Sequence, residues 1–181
     1  MTDLNREFID SVKTTFRTNK IWADKAIAQV MDEKLRIPLD ENTNSIAVIM
    51  KHVAGNLKSR WTDFLTTDGE KPWRNRDDEF VDSFQGRDEI IAYWESGWQV
   101  LFDTLDSLTP EDLAKTVTIR GEDHSVPLAM SRSLGHCAYH VGQIMLVARI
   151  LAEDNWETIT IARGASSNYN QKVWGKGHFK Q

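Results

Sequence analysis

Apolar residues return at helical spacing along most of the chain. From about Asp3 to Met31 the series Leu4, Phe8, Val12, Phe16, Trp22, Ala26, Ile27 and Val30 runs without an intervening proline or glycine, which predicts a long first helix. Pro38 and the polar run DENTNS close it. Asn44 or Ser45 can cap a second helix through Ile46, Ile49, Met50, Val53, Leu57, Trp61 and Phe64. A third follows from about Arg87 to Leu108, with Ile90, Ile91, Trp94, Trp98, Leu101, Phe102, Leu105 and Leu108 on its apolar side. The fourth, from about Leu128 to Glu153, is apolar over most of its circumference, as expected of a helix buried against several neighbours.

Between the helices the pattern changes. Thr66 to Gly86 is polar and turn-rich, and its Trp73 and Phe80 are the expected anchors of an ordered loop. Thr109 and Pro110 suit the cap and first position of a short helical turn. In TVTIRGEDHSVPL, Val117 and Ile119 alternate with polar neighbours, which predicts a small β-hairpin turning at GED. After Asn155 periodicity is lost, and an irregular tail is expected. The fold class that follows is all-α, a single helical domain with one small hairpin before the fourth helix.

Composition narrows the classes of function. In 181 residues, 40% hydrophobic content suffices for one core without disulfides, and the only cysteine, Cys137, excludes an internal disulfide. A net charge of -5 gives no footprint for nucleic acid or an anionic membrane surface. The apolar stretch around Val141 to Ala152 contains Gln143 and Arg149 and is too short to span a bilayer. The start MTDLNREFID lacks the order of a signal peptide, so cytoplasm is the expected compartment.

The candidate chemistry is histidine. His136 and His140 stand four residues apart in SLGHCAYHVGQIMLVARIL, on one face of the fourth helix, and His52 lies in the second. If the two helices adjoin, three imidazoles can meet one ion, a set suited to zinc, nickel or iron(II) with an open fourth position. The competing reading is that each is a hydrogen-bonded core histidine. His124 and His178 fall in irregular segments and are weaker candidates. Cys137 follows His136 where a metalloprotease helix needs glutamate, and no Glu-x-x-His motif supports a di-iron site. Cys137 itself points about 100° away from His136 and reads as a small buried hydrophobe. Gly135 and Gly142 suggest close approach by another helix or a ligand, and Tyr139 and Gln143 are candidates to support the ligands.

Four stretches carry a resemblance: GNLKSRWTDFLTTDGEKPWRNRDDEF, TIRGEDHSVPLA, GHCAYHVGQI and IARGASSNYN, together with KHVAGN in the second helix. In their order and spacing the chain resembles the DinB/YfiT-like superfamily of metalloenzymes, closest to a bacterial subgroup of unassigned activity. The resemblance implies an up-down-down-up four-helix bundle, a divalent cation on His52, His136 and His140, and a homodimer formed through helices. Some superfamily members are thiol S-transferases that use bacillithiol or mycothiol. One departure is Ala162, where related tails often carry proline before Arg-Gly.

The expectation is therefore a metal-dependent enzyme acting on a small molecule, of the thiol S-transferase or hydrolase type, with a low-molecular-weight thiol as candidate cosubstrate. Arg74, Arg76 and Arg163 are candidates to close over the site and bind an anionic group, against the plainer reading that they pair with surface carboxylates. The rival from another class is a stress-associated helical dimer whose metal is structural or absent.

Overall fold

A computed structural model describes residues 3–174. It is 66% helix, with five α-helices and one two-stranded antiparallel hairpin. Helix α1, Leu4–Ile27, starts at Asp3, whose carboxylate accepts a 3.0 Å hydrogen bond from the Asn5 amide. It stops short of the expected Met31, and a 3-10 turn at Asp32–Arg36 takes over, burying Leu35. Helix α2, Ile46–Trp61, is capped by the Ser45 hydroxyl, and every residue in it except Lys58 and Arg60 is buried. Such a helix must be enclosed by its neighbours, which is why a histidine and a lysine at its centre need partners.

Helix α3, Arg87–Ser107, packs along α2, and α1 packs along α4, Val126–Ala152, while α2 also meets α4. The α2–α3 contact is close because Gly97 faces Ala54, where a side-chain carbon on the glycine would fall 2.6 Å from the Ala54 Cα. Phe16, Trp61, Trp94 and Trp98 fill the core. Phe16 meets Trp61 and Trp98 edge-on at 5.9 and 6.3 Å, and the Trp61 indole N–H donates to Ser133 Oγ at 3.0 Å.

The hairpin pairs β1, Thr116–Ile119, with β2, Glu122–Ser125. Its turn is Arg120-Gly121, both at positive φ, rather than the expected GED, whose Glu122 and Asp123 belong to β2. The hairpin anchors the loop that follows α2. The Asp68 carboxylate accepts from the Arg120 and Gly121 amides at 2.8 Å each, and the Gly69 amide donates to the Thr118 carbonyl at 2.7 Å.

Several expectations change. The tail is not wholly irregular, since Ser166–Trp174 forms a short helix, α5. Trp73 anchors nothing, being 58% exposed, because the loop is held by polar contacts instead. Helix α4 is not buried all round. Leu128, Tyr139, Leu146 and Ile150 are exposed, and Gly135 and Gly142 lie on its outer side with nothing within 4 Å of an added side-chain carbon. Those glycines therefore make no close approach, whereas Gly97 and Gly55 do. No helix among the described residues is long and apolar enough to cross a membrane.

Candidate metal centre

The α2–α4 contact brings His52 to His136 and His140. One nitrogen from each ring lies within 4.8 Å of the other two, among rings 4.6 to 5.2 Å apart. His52 is buried, and the pair on α4 is half-buried, less interior than the sequence pattern suggests. His124 lies elsewhere, in strand β2 of the hairpin rather than in an irregular segment, where its Nδ1 meets the Glu122 carbonyl and its Nε2 meets Arg132 Nη1 at 2.6 Å. His178 lies outside the described residues.

Hydrogen bonds orient two of the three rings. The His52 Nδ1–H donates to Glu79 Oε2 at 2.9 Å, and the His140 Nδ1–H donates to Gln143 Oε1 at 2.7 Å. Gln143 is held in turn by Tyr139, its amide donating to the phenol oxygen at 3.0 Å. With its Nδ1 proton committed to Glu79, His52 presents its Nε2 to His136. The Nε2 atoms of His52 and His136 are only 3.2 Å apart. Two ligands about 2.0–2.1 Å from a tetrahedral ion stand roughly 3.3 Å from each other, so this spacing fits a shared cation.

The electrostatics favour neutral, ligand-ready rings for the two histidines of α4. Burial, followed by the proximity of His140 and His52, pushes His136 down to about 3. Burial likewise lowers His140, against the opposing effect of its bond to Gln143. The Nδ1 of His136 is buried without a hydrogen bond, and the ring's one hydrogen-bond contact is its Nε2 against His52. Cys137 is fully buried and its thiol is pushed up to about 12 by burial, which agrees with a hydrophobic role.

Glu79 is the residue that sequence reasoning missed. Burial works to raise its pKa, yet hydrogen bonds from His52 and from Arg74 override this and hold it below the ordinary carboxylate range. Arg74 grips it with two bonds, Nε to Oε1 at 2.8 Å and Nη2 to Oε2 at 2.9 Å. The neighbouring loop is fixed by Lys51, beside His52, whose ammonium donates to the Asp78 and Val81 carbonyls, Asp78 Oδ2 and Ser83 Oγ at 2.7 to 3.0 Å. Phe80 stacks on His52 with ring centroids 4.8 Å apart. Gly55 completes the arrangement, since a side-chain carbon there would stand 2.8 Å from Glu79 Cδ.

The arginines divide. Arg74 does pair with carboxylates, but its side chain is buried at the site rather than on the surface. Arg76 is exposed and lies over the Phe80 ring, 5.1 Å from its centroid. Arg163 is exposed and takes no part in the site. His52 and His136 also line a cavity of about 210 Å³ between α2, α4 and β1.

A helical chain with a hairpin and a converging three-histidine cluster is thus the class defined by fold and site. The chain belongs to the family described as Protein of unknown function (DUF1572), whose model matches residues 3–165. No curated protein and no solved structure matches it.

Proposed function

We propose that this chain is a divalent-metal-binding protein of the DinB/YfiT-like kind, a four-helix bundle in which His52, His136 and His140 hold the ion, and that it is an enzyme acting on a small molecule. The observation that supports this most is the approach of one nitrogen from each of the three rings to within 4.8 Å, with His52 held by Glu79 and His140 by Gln143. Without a cation the 3.2 Å contact between His52 and His136 is a ring–ring hydrogen bond, and a bound ion would take the place of its proton. Three neutral nitrogens suit zinc, nickel or iron(II). A metal so bound lowers the pKa of a coordinated thiol or water and makes it a nucleophile near neutral pH.

The protein's own residues supply the rest. Glu79 holds the His52 ring, Gln143 holds that of His140, and Phe80 covers the outer face of His52. The cavity beside His52 and His136 gives a small substrate access to the histidines. A thiol S-transferase or hydrolase activity fits this arrangement. The test is to load the protein with zinc, nickel or iron(II) and incubate it with a low-molecular-weight thiol and a haloaromatic electrophile. Thioether formation with release of halide, lost in His140→Ala, supports the transferase type. Its absence with every metal directs attention to ester and amide hydrolysis.

One observation favours a second reading, a dimeric scaffold with a structural metal. The exposed side of α4 carries Leu128, Tyr139, Leu146 and Ile150 around two open glycines, a surface that a second copy of the chain can cover. Sedimentation analysis with Leu146→Glu separates the readings: dissociation with activity intact makes the dimer incidental to the chemistry.

A further inference from the structure

The cavity beside the histidines has an unusual charge. Five arginines line it, Arg60, Arg74, Arg76, Arg120 and Arg132, and no aspartate or glutamate does, in a chain whose net charge is -5. The carboxylates that partner these arginines lie behind the wall. Glu70 is shared among Arg60 at 3.2 Å, Arg74 at 3.4 Å and Arg120 at 3.0 Å, and Glu79 holds Arg74. Arg132 is met by a ring nitrogen of His124, and Arg76 by an aromatic face, neither of which cancels its charge.

Arg60 is the telling member. Its Nη1 is buried and has no hydrogen-bond partner. A buried guanidinium N–H without an acceptor is costly, and an acceptor supplied by a ligand relieves that cost. Burial and the repulsion of Arg74, Arg120 and Arg132 both work against its charge, although Glu70 supports it.

Position along the helices sets the length of the ligand. His52, Asn56 and Arg60 follow one another a turn apart along one face of α2, and Arg132 precedes His136 by a turn on α4. At 1.5 Å per residue the arginine end lies about 6 Å from the histidines along α4 and about 12 Å along α2. Phe64, Val117, Ile119 and Ala129 add apolar wall.

We infer that this cavity binds a small organic oxyanion, whose acidic head sits on Arg60 and Arg132 and whose apolar body extends toward the three histidines. The inference rests on the proposed function in taking the histidines as the reactive end of the site. Carboxylates and phosphate monoesters share the chemistry required of the head, and planar or tetrahedral geometry is the difference between them.

The test uses benzoate, phenyl phosphate and neutral benzamide as probes, titrated calorimetrically into the metal-free and the zinc-loaded protein. Benzoate or phenyl phosphate is expected to bind at least tenfold tighter than benzamide in both forms, and the stronger of the two identifies the head group. Arg60→Met and Arg132→Gln are expected to weaken that anion at least tenfold without changing zinc content. Arg132 is exposed on α4, so its variant gives a result even if the buried substitution fails to fold. His136→Ala and His140→Ala are expected to lose zinc and keep anion binding. Equal binding of benzamide and the anions, or an Arg132→Gln protein that binds as the wild type does, overturns the inference. Full zinc content in the histidine variants overturns the metal assignment instead and leaves anion binding standing.

Discussion

The carboxylate of Glu79 stands 2.9 Å from the Nδ1 of His52, across 27 residues of sequence and a polar loop. That bond fixes which nitrogen of His52 faces the other two histidines. Its removal is expected to act on the metal without touching a ligand. Glu79→Gln should reduce zinc affinity by roughly 10–100-fold, measured by competition with a chromophoric chelator. Unchanged affinity would show that packing against Phe80 alone orients the ring.

Lys51 tests the same support from the other side. Its ammonium joins four acceptors in the 78–83 segment, so Lys51→Met leaves those groups unpaired and frees the loop that carries Glu79. The expected result is loss of about 2–3 kcal/mol in urea unfolding together with weaker zinc binding. A stability loss with zinc affinity intact would separate the loop from the site.

The glycines make a prediction of opposite signs. Gly97→Ala drives a methyl group into the Ala54 backbone and should destabilise by about 1–3 kcal/mol. Gly135→Ala adds its methyl to open space on α4 and should stabilise by about 0.5–1 kcal/mol. Urea midpoints of the two variants check both. A destabilising Gly135→Ala would mean that something covers that surface in solution.

Acid stability should depend on Asp112. The Lys115 ammonium, then the Thr109 amide and hydroxyl, hold its carboxyl down at about 2. Because the folded value lies below the unfolded one, its stabilisation is complete above about pH 4 and disappears as pH falls through about 2. Lys115 is 56% exposed, so solvent screens that pair and the capping contacts dominate. Asp112→Asn should therefore cost about 1 kcal/mol at neutral pH, with the difference from wild type closing near pH 2. Thermal melts across that range measure it.

The histidines were legible because a four-residue spacing on an uninterrupted apolar helix needs no tertiary knowledge, and His52 lies in an equally periodic segment. Helix ends were less so. Residues such as Val30 and Phe64 remain buried after their helices have ended, so their apolar character continues the pattern past the hydrogen bonding. Glu79 left no signal, since an acidic residue in DDEF resembles its solvated neighbours until the fold turns it onto His52. Arg60 left a partial one: it shares the face of His52 two turns on, but the lack of an acceptor for its Nη1 arises only in the fold, where Arg60 lines a cavity together with residues of α4 and the hairpin. The exposed side of α4 misled for a related reason. Its apolar residues are placed as in a core helix, although none of the described residues covers Leu146 or Ile150.

The central claim is that His52, His136 and His140 hold a metal ion. Elemental analysis of untagged protein, purified without chelator and then dialysed, tests it most directly when repeated on His52→Ala and His140→Ala. The expected result is about one divalent ion per chain in the wild type and its loss in both variants, each still folded by circular dichroism. The same metal content in all three proteins, or a wild type that takes up no ion when offered zinc, nickel and iron(II), would contradict the assignment.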